Sequence, residues 1–269
     1  MRDAKALRAI VVGRITPDAT VAELPLLVAY GEIVSMVQQA LARGASRLII
    51  DITALPKRFF FPAINIALRA DGHLQDVLIA YAQAERYAHE SLHEDAMTPR
   101  FLPLFAPSVA AEQAPDVHIV GLGFEAPGLI QVLEGGDVRN VEFLFPLPAP
   151  PPFFGRNWDS LRHASHSINA KRISTTGISA VNMPTVFEQL CASAQRGNRR
   201  AVLAPYGPKP VSLAMCLYAL AVGPERASVI YTQPKHYHPQ YSHGVASDAS
   251  GPVVYAYPVR LGGKNLFTI

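Results

Sequence analysis

Residues 201–220 read AVLAPYGPKPVSLAMCLYAL. The apolar run 201–204 enters a Pro/Gly loop, Pro205-Tyr206-Gly207-Pro208-Lys209-Pro210, and a second apolar run, 211–220, leaves it. A short apolar run suits a buried strand and a longer one a buried helix. The order is strand, tight loop, helix, with a lysine at the turn. Unpaired N–H groups and the helix dipole at such a start favour a negative charge. The loop lacks GxxxxGK[ST], so it is not a Walker A loop.

The same order repeats outward from this stretch. Upstream, 8–15 reads as a first strand and 23–43 as a helix stopped by Gly44. LIIDI, 48–52, is a short buried strand whose exit, Thr53 to Arg58, turns into a helix over 59–70 with Pro62 in its first turn. Strands follow at 76–83, 116–121 and 140–147, with a short helix over 129–136 and a polar, irregular stretch over 84–100. Downstream, the spacing predicts a helix over 157–170, a strand over 172–174 that exits at Thr175-Thr176-Gly177, and a helix from Pro184 to Gly197. A strand over 227–232 exits at Gln233-Pro234-Lys235, residues 236–251 form a polar loop, and 252–260 is a terminal strand, antiparallel at an edge. Alternating strands and helices predict an α/β fold with a mainly parallel sheet. The plan resembles a Rossmann-like architecture with helices on both faces, built as one sheet or as two similar lobes. That is a resemblance of architecture alone, and fold does not fix function.

Composition agrees with a buried sheet. The chain has 269 residues, 49% of them hydrophobic and 17% charged, room for one large domain or two small ones. No apolar stretch reaches the roughly 18–20 residues that span a bilayer. Residues 24–41 come nearest, but Glu32, Gln38 and Gln39 interrupt them. The first fifteen residues have too short an apolar core for a signal peptide. The expected location is cytoplasmic, with Cys191 and Cys216 as buried thiols rather than a disulfide.

Charge divides the chain. Residues 1–145 carry 12 Lys+Arg against 17 Asp+Glu, a net −5; residues 146–269 carry 12 against 4, a net +8. The change falls at PLPAPPPFFG, residues 146–155, where five of ten residues are proline. A proline run makes a poor helix and a poor central strand. It is read as a linker between an acidic N-terminal lobe, 1–145, and a basic C-terminal lobe, 156–269.

Ligands of an open parallel sheet sit beyond the carboxyl ends of its strands. Hydroxyls and glycine N–H groups donate to phosphate there, and Lys or Arg supplies the charge. The expected ligand contacts are Lys57, Arg58, Glu125, Thr175, Thr176, Gly177, Tyr206, Gly207, Lys209 and Lys235. Thr175–Gly177 and the loop from Tyr206 to Lys209 are expected to face one crevice, because both leave parallel strands. Lys57 and Arg58 stand before Phe59-Phe60-Phe61, which serves either to stack a base or, more plainly, as core. GLGFEAPG, 121–128, follows a strand and opens a helix, but Ala126 stands where a dinucleotide fingerprint has its third glycine. A close backbone turn explains it better.

His89-Glu90-Ser91-Leu92-His93 spells H-E-x-x-H, and His236, His238 and His243 have ligand-like spacing. The first lies in a polar stretch broken by Pro99 and the second in a loop, so no metal site is expected at either. There is no GxSxG, and Asp51 at a strand end is the best single carboxylate. No motif names a cofactor or a catalytic residue.

Two functions fit. In the first, an α/β protein binds a nucleotide or another phosphorylated small ligand at the strand ends, as enzyme or sensor, with no membrane partner and with a homo-oligomer allowed. In the second, the chain is an interaction subunit of a larger assembly whose basic half docks on nucleic acid or an acidic protein partner.

Overall fold

The computed structural model describes residues 24–70, 72–88, 93–108, 114–126, 128–134, 138–147, 153–238 and 241–269. The strand expected over 8–15 lies outside them. The first elements in chain order are α1 (Tyr30–Leu41), β1 (Arg47–Asp51), α2 (Lys57–Arg69), β2 (Asp76–Ala82), β3 (Ala84–Tyr87), β4 (His93–Ala96), β5 (Arg100–Phe101) and β6 (Val117–Gly121). Next come α3 (Leu129–Glu134), β7 (Asn140–Leu147), α4 (Phe153–Ser167), β8 (Arg172–Ser179), α5 (Met183–Ser193), β9 (Ala201–Pro205), α6 (Lys209–Val222) and β10 (Ala227–Tyr231). The chain closes with β11 (Pro234–Tyr237), β12 (Ser242–Val245), β13 (Ser247–Asp248), β14 (Gly251–Pro252), β15 (Val254–Leu261) and β16 (Lys264–Asn265).

Six strands form one sheet in the order β5-β10-β9-β6-β7-β8, parallel except for β5, which runs antiparallel to β10. All five residues of the central β6 are buried, as a parallel strand covered on both faces requires. A second sheet has the order β1-β2-β15-β16: β1 and β2 are parallel, and β15 returns antiparallel to β2. Ribbons β3/β12, β4/β11 and β13/β14 complete the pairing. The molecule is thus a mixed α/β protein with several sheets, partly parallel. The expectation of a mainly parallel sheet is corrected at two places. The terminal strand lies inside the second sheet, between β2 and β16, and not at an edge. The two polar stretches, 84–100 and 236–251, pair with each other.

Helix α6 explains how the sheets are joined. It is apolar on nearly every side and buried from Pro210 to Ala219. It packs on β9, β10, α5 and α2. Helix α2 presents Phe60 and Phe61 to the same core, where Phe61 meets Phe105 edge to face at 5.3 Å. The α2–α6 contact brings the exit of β1 next to the exit of β9.

The ends of the proline run belong to regular elements. Pro146 belongs to β7, opposite Ile178, and Phe154 and Gly155 belong to α4. Strands β5, β6 and β7 precede residues 148–152 and β8, β9 and β10 follow them, so the large sheet takes three strands from each side. Cys191 and Cys216 are buried free thiols. Among the described residues, no helix is long and apolar enough to cross a membrane.

Candidate functional site

Two helices begin with the same dipeptide. Pro56-Lys57 opens α2 and Pro208-Lys209 opens α6, and neither helix end has a side-chain cap. Proline has no N–H to orphan, so it fits a helix start, but its side chain offers no oxygen to the first N–H groups. Both starts therefore keep an uncompensated positive dipole end.

The two helix starts meet although about 150 positions separate them in the chain. Lys209 Nζ donates to the carbonyl of Leu55, in the loop before α2, and lies 5.3 Å from the ring centre of Phe60. Lys57 is only 9% exposed, and its Nζ stands 4.9 Å over the ring of Tyr231. Lys57 Nζ bonds to no protein acceptor or carboxylate among the described residues, and it is not among the fully buried atoms left without a partner, so its tip reaches solvent. Burial lowers the Lys57 amine from 10.5 to about 7. Burial also takes Lys209 to about 7; the Lys57 charge pushes the same way and Asp51 opposes it. Asp51 itself uses Oδ1 to cap the N–H of Thr53, at 2.8 Å.

The wall behind the lysines is aromatic. Tyr206 and Tyr231 lie 5.6 Å apart, and the Tyr206 hydroxyl is 2.9 Å from Thr232 Oγ1. Gln233 is 8% exposed; its Nε2 donates to Tyr237 and to the Pro234 carbonyl, while its buried Oε1 is unpartnered. Below them the loops after β6 and β9 touch. A Cβ on Gly123 would sit 2.2 Å from the Tyr206 carbonyl oxygen, and one on Gly207 would sit 2.8 Å from that of Leu122. These glycines are required by close backbone approach, which is the reading that displaces a dinucleotide fingerprint.

The remaining expected contacts are dispersed. Arg58 Nη2 donates to the Val28 carbonyl at 2.7 Å and so points toward the segment before α1. Glu125 pairs with Arg156 at 2.6 Å, and Arg156 also reaches the Ala88 carbonyl and the Phe124 ring. Lys235 is exposed on β11. Strand β8 does not stop at Ser174. Thr175, Thr176 and Gly177 are strand residues paired with Phe143, Leu144 and Phe145, and two strands, β7 and β6, separate β8 from β9. Thr176 Oγ1 donates to Glu142 at 2.8 Å. The three residues therefore do not line the exit of β9.

Sequence reasoning placed Gln233 at a strand exit but missed Tyr231 and Arg156. Tyr231 ends a strand beside a lysine-bearing loop, which was a usable signal; Arg156 is the first residue after the proline run and carries no motif. His89 lies outside the described residues, and no group of three or more His, Cys, Asp and Glu among the described residues is placed to hold a metal. A groove of about 450 Å³ opens elsewhere, between α5 and residues 266–268. Its one charged residue, Glu188, faces Arg196 at 3.6 Å, so the groove offers little chemistry. No protein-family model and no curated protein matches the chain.

Proposed function

We propose that the chain binds a phosphorylated small ligand, of the nucleotide class, where the ends of β6, β9 and β10 meet the start of α2. Lys57 and Lys209 are its cationic contacts, and the N–H groups of the two Pro-Lys helix starts complete the seat. The observation that carries this reading is the Lys57 side chain: nine-tenths buried, at a helix N-terminus, with its ammonium tip bonded to no protein acceptor. An ion in that position costs stability until an anion joins it.

Strand order supports the same place. Numbered by occurrence, the parallel strands β8-β7-β6-β9-β10 stand in the order 3-2-1-4-5. That is the Rossmann-like order, in which ligands bind where the order reverses, here between β6 and β9. Helix α3 packs on α4 and α5 on α6. Right-handed crossovers would give that grouping with the pairs on opposite faces.

The test is a thermal-shift and calorimetric panel of nucleoside phosphates, sugar phosphates and the unphosphorylated nucleosides. Saturable binding that needs the phosphate, and that weakens about tenfold or more in Lys57→Met, is the expected result. No binding by any phosphorylated compound defeats the reading. Binding of long nucleic acid with affinity falling steeply between 50 and 200 mM salt would support the assembly-subunit reading instead.

A further inference from the structure

We propose that the open edge of β8 is an interface, on which a second copy of this chain pairs about a twofold axis and joins two six-stranded sheets into one. The proposal is independent of the ligand reading, because β7 and β6 separate β8 from the β9 exit.

Unpaired sheet edges invite pairing, and most edges here are blunted. The far end of the same sheet is β5, two residues long. The second sheet ends in β16, also two residues, and in β1, five residues with Arg47 and Asp51 at its ends. Strand β8 has none of these devices. It runs for eight residues, pairs with β7 without a register shift, contains no proline and carries one charge, Arg172, at its first position. Every residue from Arg172 to Thr175 is exposed, and among the described residues no strand pairs with the outer edge.

The ground beside this edge is apolar. Phe145 pairs with Gly177 and meets Phe154 and Trp158 of α4, at 5.4 and 6.4 Å between ring centres. Alternation puts Ile173 and Thr175 on that same α4 face of the sheet. One side of α4 is already used: Arg156 bonds Glu125 and Ser160 bonds the Phe124 carbonyl, both in the loop after β6. The opposite side, with Phe154, Trp158 and Arg162 at a spacing of four, therefore looks toward the open edge. Phe154 is 49% exposed, Trp158 52%, and Leu147, which lies over Gly177, 43%. Large aromatic rings half in water beside an unpaired strand mark an interface.

Charge and symmetry select a second copy as the occupant. A twofold normal to the sheet sets β8 antiparallel to its copy and keeps both α4 helices on one face. Placed at Thr176, it opposes Thr176 to itself, Thr175 to Gly177 and Ile173 to Ser179. Arg172 then falls beyond the end of the other strand, so no like charges stand opposite. Helix α4 joins two parallel strands and runs back against them, with Trp158 level with Gly177, one residue from the axis. At about 3.3 Å per strand residue and 1.5 Å per helix residue, the axis crosses α4 about two residues past Trp158. Trp158 of each copy then faces Arg162 of the other, a cation against an indole ring. Arg162 can turn to it, since its contact with Asp159 is an exposed one at 3.4 Å. A lone strand from another protein would cover the edge and leave this aromatic stripe in water.

The test is light scattering after size exclusion of the full chain across a dilution series, with Trp158→Glu and Thr175→Lys beside wild type. The expected result is a wild-type particle of twice the mass of one chain that dissociates on dilution, and a dimer at least tenfold weaker in each variant. Both side chains are exposed, so each variant should melt cooperatively near the wild-type temperature. A wild-type chain that is monomeric throughout, or a dimer that either substitution leaves intact, overturns the proposal. Where a variant fails to fold, Thr176→Cys decides: mild oxidation should link two copies through this residue, as located by peptide mass spectrometry. Absence of the linked peptide overturns the interface. Cys191 and Cys216 are buried and take no part in the link.

Discussion

Replacing Lys57 by Met keeps the side-chain length and removes the charge, and this substitution should stabilise the protein. The Lys57 amine falls from 10.5 to about 7 on folding, through burial alone. At about 1.36 kcal/mol for each pH unit between the folded and unfolded values, holding the ammonium inside costs about 5 kcal/mol. Attraction to the Tyr231 ring returns about 1–2 kcal/mol of this, which leaves about 3 kcal/mol. The folded value is the depressed one, so the unfolded chain binds the proton more tightly. Wild-type stability should therefore rise with pH between about 7 and 10.5, and this group should contribute no slope below about 7. Urea unfolding at pH 6 should show Lys57→Met more stable by about 3 kcal/mol, and at pH 9.5 by about 1.5 kcal/mol. Removing the charge also relieves Lys209, which adds to the gain in the same direction. A variant destabilised at pH 6, or one whose advantage is the same at both pH values, would refute the claim that an unpaired buried charge sits here.

Lys209→Met should weaken a phosphorylated ligand by about 1.5–3 kcal/mol in calorimetry. On stability, loss of the bond to Leu55 O opposes the relief of a buried charge whose amine falls to about 7, so urea unfolding at pH 6 should show this variant no less stable than wild type. Gly123→Ala should lose at least about 2 kcal/mol in urea unfolding, since its Cβ would meet the Tyr206 carbonyl at 2.2 Å and backbone cannot move aside cheaply; an unchanged midpoint would contradict this. Arg156→Met removes the ion pair to Glu125 and the donor to the Ala88 carbonyl in a half-buried place, so a loss of about 1 kcal/mol is expected from denaturation curves.

The element types of the large sheet were legible because each rests on local pattern. Val117–Gly121, Asn140–Leu147 and Ala201–Pro205 are short apolar runs next to turns, and the helix after Pro208 is a long apolar run with a proline start. Pairing was not legible where it is long-range. Residues 84–100 and 236–251 have no alternation of their own, and their strands are fixed by partners more than a hundred positions away. The end of β8 was misjudged because Thr-Thr-Gly is turn chemistry in isolation. Here Leu147 covers Gly177 and the strand continues. At the site, the Lys209 loop and the Lys57 turn were each visible as strand exits. Their meeting was not, because it depends on α2 packing on α6 across the two sheets. Arg58 shows the converse: it neighbours Lys57 in sequence, but helical geometry turns it toward Val28.

The two Pro-Lys starts carry one physical argument between them. Each alone is unremarked: a proline that suits a helix start, then a lysine. Set side by side, they place two ammonium groups at two positive dipole ends, walled by Phe60, Tyr206 and Tyr231, with no carboxylate bonded to either among the described residues. Helix dipole and burial act against the charged state of both amines and the Lys57 charge adds to this at Lys209, while the Tyr231 and Phe60 rings, the Leu55 carbonyl and Asp51 act for it. A core under selection for stability alone would hold Met or Leu at Lys57, which would pack as well and remove about 3 kcal/mol of cost. An anion reverses the unfavourable signs at once: it satisfies the helix ends, screens the two cations from each other and supplies the missing acceptor. The pH dependence of Lys57→Met measures how unfavourable the unliganded arrangement is.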